Sequence, residues 1–318
     1  MINQKLNTDL MHYGLDIGGT KIELAIFDSK LELVTSWRMP TPKDDYQELL
    51  SAITQMVADA DKKTNQKGTV GIGFPGFLDN QGRSVSANIP CVNGQTIVGD
   101  TCEQLGRSVA FENDVKAFVL SEVRGGAAQG KNNALGVVVG TGFAGGLCID
   151  GQLYKSRQNV SCEFGHVSLP AVLQQRYQFP LRQCGCGLLG CVEEYLAGPG
   201  LLWMCSYFET DYTSVPMLVE AMRANEPKAL EVMDVYIDCL GCYFAQLTLM
   251  YDPDIIVLGG GLSNITEIYT RLGQAMQKYF FGGVIAPPIV AAMYGDSSGV
   301  RGAAIRGRDN AYNTAVLN

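Results

Sequence analysis

Tyr13-Gly-Leu-Asp-Ile-Gly-Gly-Thr-Lys21, continued by Ile22-Glu-Leu-Ala-Ile-Phe-Asp28, sets two apolar runs on either side of a Gly-Gly-Thr turn. That order predicts a β-hairpin, because alternating runs bury one face of a ribbon while glycines let the chain reverse tightly. Ala134-Leu-Gly-Val-Val-Val-Gly-Thr-Gly-Phe-Ala-Gly-Gly-Leu-Cys-Ile149 repeats the plan, which suggests internal duplication. Between them, Leu31 to Met39 supplies a third strand and Tyr46 to Ala60 has helical spacing. Thr69-Val-Gly-Ile-Gly-Phe74 reads as a buried strand before the Pro75-Gly76 turn, and Asp114 to Glu122 reads as a helix. Beyond a Cys- and Gly-rich stretch, Ala197 to Met250 is mainly helical, and Asp254-Ile-Ile-Val-Leu-Gly259 is a buried strand running into Gly260-Gly261. Strands mixed with helices, the opening ones antiparallel, predict an α/β fold, and 318 residues suffice for two related domains.

The composition narrows the class of partner. A formal charge of −8 with no Lys/Arg run argues against nucleic acid and membrane surfaces, which select basic patches. No apolar stretch is read as bilayer-spanning and Met1 to Leu10 is polar, so a soluble, cytoplasmic protein is expected, with that decapeptide a dispensable extension. Ten cysteines in a chain of this kind are expected to be reduced, which directs attention to metal binding. The 37 glycines cluster in short turns, where backbone can approach a ligand.

A glycine hairpin can aim several backbone N–H groups at phosphate oxygens, with Thr and Lys adding donors and charge. Gly18, Gly19, Thr20 and Lys21 fit that task, and an ordinary tight hairpin fits the same residues. Asp16 could orient Mg²⁺ through its water shell or merely cap a turn. Neither hairpin is a Walker loop or a dinucleotide fingerprint, since neither leads into a helix with the required spacing. Phe111-Glu-Asn-Asp114 stands at a strand-to-helix boundary, where Asn113 or Asp114 could be an N-cap. Phosphoryl transfer to a sugar hydroxyl needs a carboxylate to receive the proton and an amide to fix the sugar, and Asp114 and Asn113 would supply both. Cys184-Gly-Cys186-Gly-Leu-Leu-Gly-Cys191, preceded by His166 in Glu163-Phe-Gly-His166, offers three thiolates and an imidazole, a closed tetrahedral set for structural Zn²⁺. Glu163 and Glu193 flank it and could accept from sugar hydroxyls, although each alone would pass for a surface or helix glutamate.

Taken together, Asp16-Ile-Gly-Gly-Thr20-Lys21, Gly73-Phe-Pro-Gly76, Glu112-Asn-Asp114, Gly140-Thr-Gly142, Glu163-Phe-Gly-His166 and Cys184-Gly-Cys-Gly-Leu-Leu-Gly-Cys-Val-Glu193 resemble the ROK family of sugar kinases, from Met11 to the C-terminus. The resemblance implies two ribonuclease-H-like domains of the actin and hexokinase type with an interdomain cleft. It divides the chain into residues 11–120 plus 299–318 and residues 121–298. It implies Asp114 as the base and Asn113, Glu163, His166 and Glu193 as sugar contacts. It further implies Zn²⁺ on His166, Cys184, Cys186 and Cys191, with Asp16, Gly18 to Lys21, Gly140, Thr141, Gly142, Gly259, Gly260 and Gly261 around Mg-ATP. Phe179-Pro-Leu-Arg-Gln-Cys184 and Met11 to Lys21 look most like the bacterial N-acetyl-D-glucosamine kinases, which implies formation of the sugar 6-phosphate and a homodimer.

Two positions depart from the family pattern. Phe143 and Ala144 replace a small aliphatic residue and Gly, and Ala144 would strain a left-handed backbone and weaken ATP binding. Lys116 is expected on a solvated helix face, or else beside Asp114 as a charge favouring its ionised form. Another ROK kinase, acting on glucose, fructose or N-acetylmannosamine, is the nearest alternative. A non-catalytic sugar sensor is the alternative from another class, and ten polar residues before Met11 are too few for the DNA-binding helix-turn-helix of the family's regulators.

Overall fold

The computed structural model describes residues 10–317, without the side chains of Asp296 and residues 313–317; the polar opening decapeptide therefore lies outside the described residues up to its last member, Leu10. Contacts divide the chain into two compact units. One runs through Glu122 and takes in Lys155–Ser161 and the chain from Ser297 onward; the other comprises Val123–Tyr154 and Cys162–Asp296.

The first unit is built on β1 (His12–Ile17), β2 (Lys21–Phe27), β3 (Leu33–Pro40), β4 (Thr69–Phe74) and a small β5 (Phe77–Leu78)–β6 (Ser84–Val85) hairpin, followed by β7 (Val109–Asn113). The main sheet has the order β3-β2-β1-β4-β7. Within it β1 and β2 are antiparallel, with Asp16 opposite Glu23, while β4 runs parallel to β1 and β7 parallel to β4. Helix α1 (Tyr46–Thr64) starts where Asp45 accepts from the amides of Gln47 and Glu48, and ends at left-handed Asn65. Its Leu49, Ile53, Met56 and Val57 pack with Tyr13, Leu15, Ile22 and Leu24 of the hairpin, joined at the edge by α2 (Ile97–Leu105). The region also contains α3 (Asp114–Val123), which follows β7 without a loop.

The second unit repeats that sheet. Strands β8 (Ala134–Val139), β9 (Phe143–Ile149), β10 (Gln152–Leu153), β11 (Ile255–Gly259) and β12 (Ile289–Ala291) are ordered β10-β9-β8-β11-β12. The succession of two antiparallel and two parallel neighbours is the same as in the first sheet. Helices α4 (Ala171–Tyr177), α5 (Glu193–Leu196), α6 (Gly198–Tyr207), α7 (Val215–Arg223), α8 (Pro227–Tyr251) and α9 (Thr266–Gln277) complete it. Helix α8 corrects the reading of the apolar stretches: its 25 residues are long and apolar enough to cross a membrane. They instead form the spine of this unit's core, with Tyr236, Tyr243 and Phe244 fully or almost fully buried.

A last helix, α10 (Ser298–Leu317), belongs to the first unit and lies directly on its sheet. Glycine makes that approach possible: a Cβ at Gly14 would stand 1.9 Å from the Val300 carbonyl oxygen, and one at Gly71 would stand 1.8 Å from that of Ala303. No side chain fits between strand and helix there.

Asp238 on α8 knots the second unit together. Its carboxylate accepts from Arg176 (2.7 Å), Lys278 (3.0 Å), Tyr177 Oη (2.8 Å) and Tyr279 Oη (2.7 Å). Burial alone would raise the carboxyl, but the donors from Tyr279, Lys278 and Tyr177 outweigh it and hold it below its ordinary value. Asp238→Ala is expected to cost about 2–3 kcal/mol in urea unfolding, less than a wholly buried pair, because Arg176 and Lys278 keep access to water. A loss under about 0.5 kcal/mol would show the network to be dispensable.

Candidate active site

In the first unit the C-terminal ends of β1, β4 and β7 bring Asp16, Gly73 and Glu112 into one row, with Asn113 and Asp114 just beyond. Ligand groups in open α/β sheets gather at such ends. Asp16 is half-buried. Burial first, then the charges of Asp114 and Glu23, push its carboxyl up from 3.8 to about 7, against Lys21 and Arg38. Beneath it, a Cβ at Gly299 would lie 3.3 Å from Asp16 Oδ2 and 3.9 Å from the Asp114 carbonyl oxygen, so the first turn of α10 reaches both acidic residues. The Gly18–Lys21 turn closes through Gly18 N–H to the Lys21 oxygen at 2.9 Å. Thr41 braces it, donating from Oγ1 to the Gly18 oxygen at 2.6 Å and from its amide to the Thr20 oxygen at 3.1 Å. Thr20 and Lys21 are left exposed. Thr41 carries no signal in the sequence, because its role depends on where β3 ends.

Asn113 is the cap of α3. Its Oδ1 accepts from the amides of Val115 (3.0 Å) and Lys116 (3.1 Å), and its Nδ2 donates to the Gly76 oxygen at 3.1 Å. One amide hydrogen remains for a ligand. Asp114 Oδ1 accepts from the Val115 amide at 2.9 Å, and the residue stays partly exposed. Lys116 corrects the sequence reading: it is 8% exposed, not solvated, and its Nζ donates to the Asn159 carbonyl oxygen at 2.7 Å.

The acids of this unit predict an unusual pH dependence. His12, fully buried with Nδ1 2.9 Å from Thr69 Oγ1, is pulled down from 6.5 to about 4 by burial and by Arg308. Between pH 4 and 6.5 the unfolded chain therefore binds a proton at His12 that the fold refuses, and stability rises with pH. Asp16 acts oppositely: between 3.8 and about 7 the fold holds a proton that the unfolded chain releases, so stability falls with pH. The two slopes offset each other in the native protein. Asp16→Asn should unmask a rise of about 2–3 kcal/mol across that window in urea unfolding without nucleotide or magnesium. A profile parallel to wild type would overturn the assignment.

In the second unit the Gly140–Gly142 turn, Gly260–Gly261 and the start of α6 meet. Gly198 N–H donates to the Gly140 oxygen at 2.7 Å, and a Cβ at Gly140 would lie 3.7 Å from the Gly261 nitrogen. Gly260 has φ 82°, and a Cβ there would stand 2.6 Å from the Val139 oxygen, so only glycine serves. Gly198 went unread in the sequence; its signal is Gly198-Pro199-Gly200, a proline in the first helical turn preceded by glycine. The expected strain at Ala144 is absent: the residue sits in the regular strand β9, opposite Val138, and is not among the left-handed residues. Phe143 faces the core, its ring 5.6 Å from Tyr243 and 6.2 Å from Phe244, and anchors the turn instead of obstructing it.

The same turn touches Glu193. A Cβ at Gly142 would lie 3.4 Å from Glu193 Oε2, and one at Gly165 would lie 2.1 Å from the Phe143 oxygen and 3.2 Å from Glu193 Oε2. Glu163 is exposed at the head of the short helical turn Phe164–His166, whose Phe164 oxygen accepts from Tyr243 Oη at 2.6 Å.

The knuckle folds back on itself: the Cys184 amide donates to the Leu188 oxygen at 2.9 Å, with Gly187 at φ 93° and Gly190 at φ 75°. His166, Cys184, Cys186 and Cys191 thereby place their ligand atoms within 4.8 Å of one another. Cys186 and Cys191 sulfurs are 3.6 Å apart, and Cys184 Sγ is 3.7 Å from His166 Nδ1. Zn–S bonds of about 2.3 Å in a tetrahedron put sulfurs about 3.8 Å apart, so the set fits that ion. Glu193 Oε1, 3.1 Å from Cys184 Sγ and 3.4 Å from His166 Nδ1, joins the knuckle to the Gly142 turn.

Comparison with known proteins gives the family. The ROK family model matches residues 12–309. An N-acetylgalactosamine kinase from Shewanella sp. (strain ANA-3) is 44% identical over 297 residues, covering 93% of this chain and 96% of the relative. An N-acetyl-D-glucosamine kinase from Escherichia fergusonii is 37% identical over 297 residues, covering 92% and 98%. The structure of a ROK family glucokinase from Streptomyces griseus in complex with glucose and AMPPNP has 26% identity and a TM-score of 0.75, covering 94% of this chain and 99% of that one. A family match of that extent, with relatives aligned over nearly their full length, identifies this two-domain α/β protein of the actin and hexokinase type as a member of the ROK family.

Proposed function

We propose that the protein is an ATP-dependent kinase that phosphorylates the 6-hydroxyl of an N-acetylhexosamine, with N-acetyl-D-glucosamine as the substrate. The observation that carries the reading is the partly exposed Asp114 carboxylate, oriented by the capped start of α3 in a row with Asp16. Asp114 takes the hydroxyl proton as that oxygen attacks the γ-phosphorus, and Asn113 spends its remaining amide hydrogen on the sugar. Glu163, His166 and Glu193 accept from or donate to the other hydroxyls. The turns Gly18 to Lys21 and Gly140 to Gly142, closed by the N–H groups of Gly18 and Gly140, present their remaining N–H groups to the phosphates, with Gly259 to Gly261 on the adenosine side and Asp16 orienting the hydrated cation. Bound Mg²⁺ would neutralise charge on the phosphoryl group in transfer. His166, Cys184, Cys186 and Cys191 would hold zinc as a structural ion, fixing Glu193 in place, since four protein ligands leave no position for water.

The reading divides the protein into residues 11–120 plus 299–318 and residues 121–298, with Lys155–Ser161 joining the first part by its contacts, and includes a cytoplasmic homodimer, whose mass light scattering would test. A second substrate reading, N-acetyl-D-galactosamine, is favoured by the 44% identical relative of that name. Release of ADP from Mg-ATP, measured against both amino sugars, N-acetylmannosamine, glucose, fructose and mannose, separates the readings. Highest kcat/KM with N-acetyl-D-glucosamine is expected. Preference for the 4-epimer would move the assignment to galactosamine, and no turnover with any sugar would overturn the kinase reading.

A further inference from the structure

An ammonium removed from water is costly unless it is paired or hydrogen-bonded, so the burial of Lys116 calls for a function in the fold. Its Nζ reaches a segment of its own unit that is distant in sequence. Residues 155–161 pack with the first unit, although the chain on both sides of them packs with the second. In this strap Asn159 is left-handed, at φ 57°. Its carbonyl oxygen takes the Lys116 ammonium at 2.7 Å, and its Nδ2 donates to the Leu78 oxygen at 3.3 Å. Lys155, Arg157, Gln158, Asn159 and Val160 are all exposed, so apolar packing does not secure the strap; these polar contacts do.

Downstream the chain is constrained again at once. Cys162 is left-handed, at φ 69°, and its oxygen accepts from the Gly145 amide at 3.1 Å. The next residue is Glu163. Glu163 lies four positions beyond Asn159, a reach of at most about 14 Å, which tethers it to the latch. At its other end Lys116 donates its own amide to Asn113 Oδ1 at 3.1 Å, next to Asp114.

We infer that Lys116 is a positioning residue: its ammonium pins the strap 155–161 and thereby sets where Glu163 and the turn ending at His166 meet the sugar. The inference rests on the kinase reading for its kinetic part. Its structural part stands on the latch alone.

Lys116→Met keeps the apolar stem and removes the donor. The expected result is a sugar KM raised about tenfold, the equivalent of about 1.4 kcal/mol, with kcat within about threefold and the KM for ATP unchanged. Lys116→Arg should recover part of the loss. Arg157 in the strap is an exposed trypsin site, and cleavage after it should be several-fold faster in Lys116→Met than in wild type without substrates. An unchanged sugar KM, equal rises in both KM values, or equal cleavage rates would overturn the inference. Absence of turnover in the wild-type protein would overturn the kinase reading instead, and the trypsin comparison would still decide the latch. Should Lys116→Met fail to fold, Lys116→Gln keeps a polar helix residue but is too short to reach the Asn159 oxygen. The same kinetic pattern is expected, and an unchanged sugar KM would again overturn the inference.

Discussion

Asp114→Asn is expected to lower kcat by about 10²–10⁴-fold while the sugar KM stays within a few-fold of wild type. The amide keeps the size of the carboxylate and an oxygen to accept from the Val115 amide, so the start of α3 should survive. What disappears is the acceptor for the hydroxyl proton. The charge beside Asp16 also disappears, and because Asp114 is the largest charged contributor to the raised Asp16 carboxyl, that carboxyl should titrate lower in the variant. ADP release under saturating Mg-ATP and sugar measures the first effect, and titration of Asp16 by carbon-13 NMR measures the second. Turnover near wild type would remove Asp114 from the mechanism. Lost turnover with lost sugar binding would show a collapsed site and leave the assignment of a base unsupported.

The second large effect concerns the knuckle. Protein purified without chelator should carry about one zinc per chain, and paired Cys184→Ser and Cys191→Ser substitution should abolish it. Without a cation, burial pushes the thiols of Cys184 and Cys191 above their ordinary values, so uptake of zinc must expel protons from both. Removing the ligands frees the 184–191 loop, which among its backbone contacts is closed by Cys184 to Leu188 and Gly190 to Arg182. Glu193, next to His166 and Cys184, loses its support. A fall of more than tenfold in kcat/KM for the sugar is expected, together with thermal unfolding lower by several degrees. Zinc-free wild-type protein with full activity and unchanged unfolding would defeat the assignment.

Much of this arrangement was legible before folding because it is written in short range. Two alternating runs around Gly-Gly-Thr and around Gly-Thr-Gly can form little besides hairpins, and their likeness anticipates two sheets of identical strand order. Three cysteines within eight residues, spaced by glycines, can converge without help from the rest of the chain; bringing His166 to them needs only the bridge between Ser168 and Cys191. Asn113 shows how a local motif can serve twice, as the cap of α3 and as a neighbour of Asp114, the proposed base.

What stayed illegible depends on partners far along the chain. Lys116 looked like a solvated helix residue because the group that takes its ammonium, the main-chain oxygen of Asn159, lies 43 positions further along the chain. Thr41 and Gly198 are hydrogen-bonded to the two glycine turns only because strand and helix ends arrive beside them. Ala144 appeared strained when judged as a turn residue, whereas pairing with Val138 keeps the backbone extended. Helix α8 has the length and composition of a membrane span and is instead claimed by the core. The sequence by itself determined the hairpins, the duplicated plan, the cap at Asn113 and the clustering of three cysteines, because steric and hydrogen-bonding preferences act between near neighbours. Only tertiary structure decided which polar groups are buried and what satisfies them, because burial and pairing are properties of surfaces brought together from distant parts of the chain.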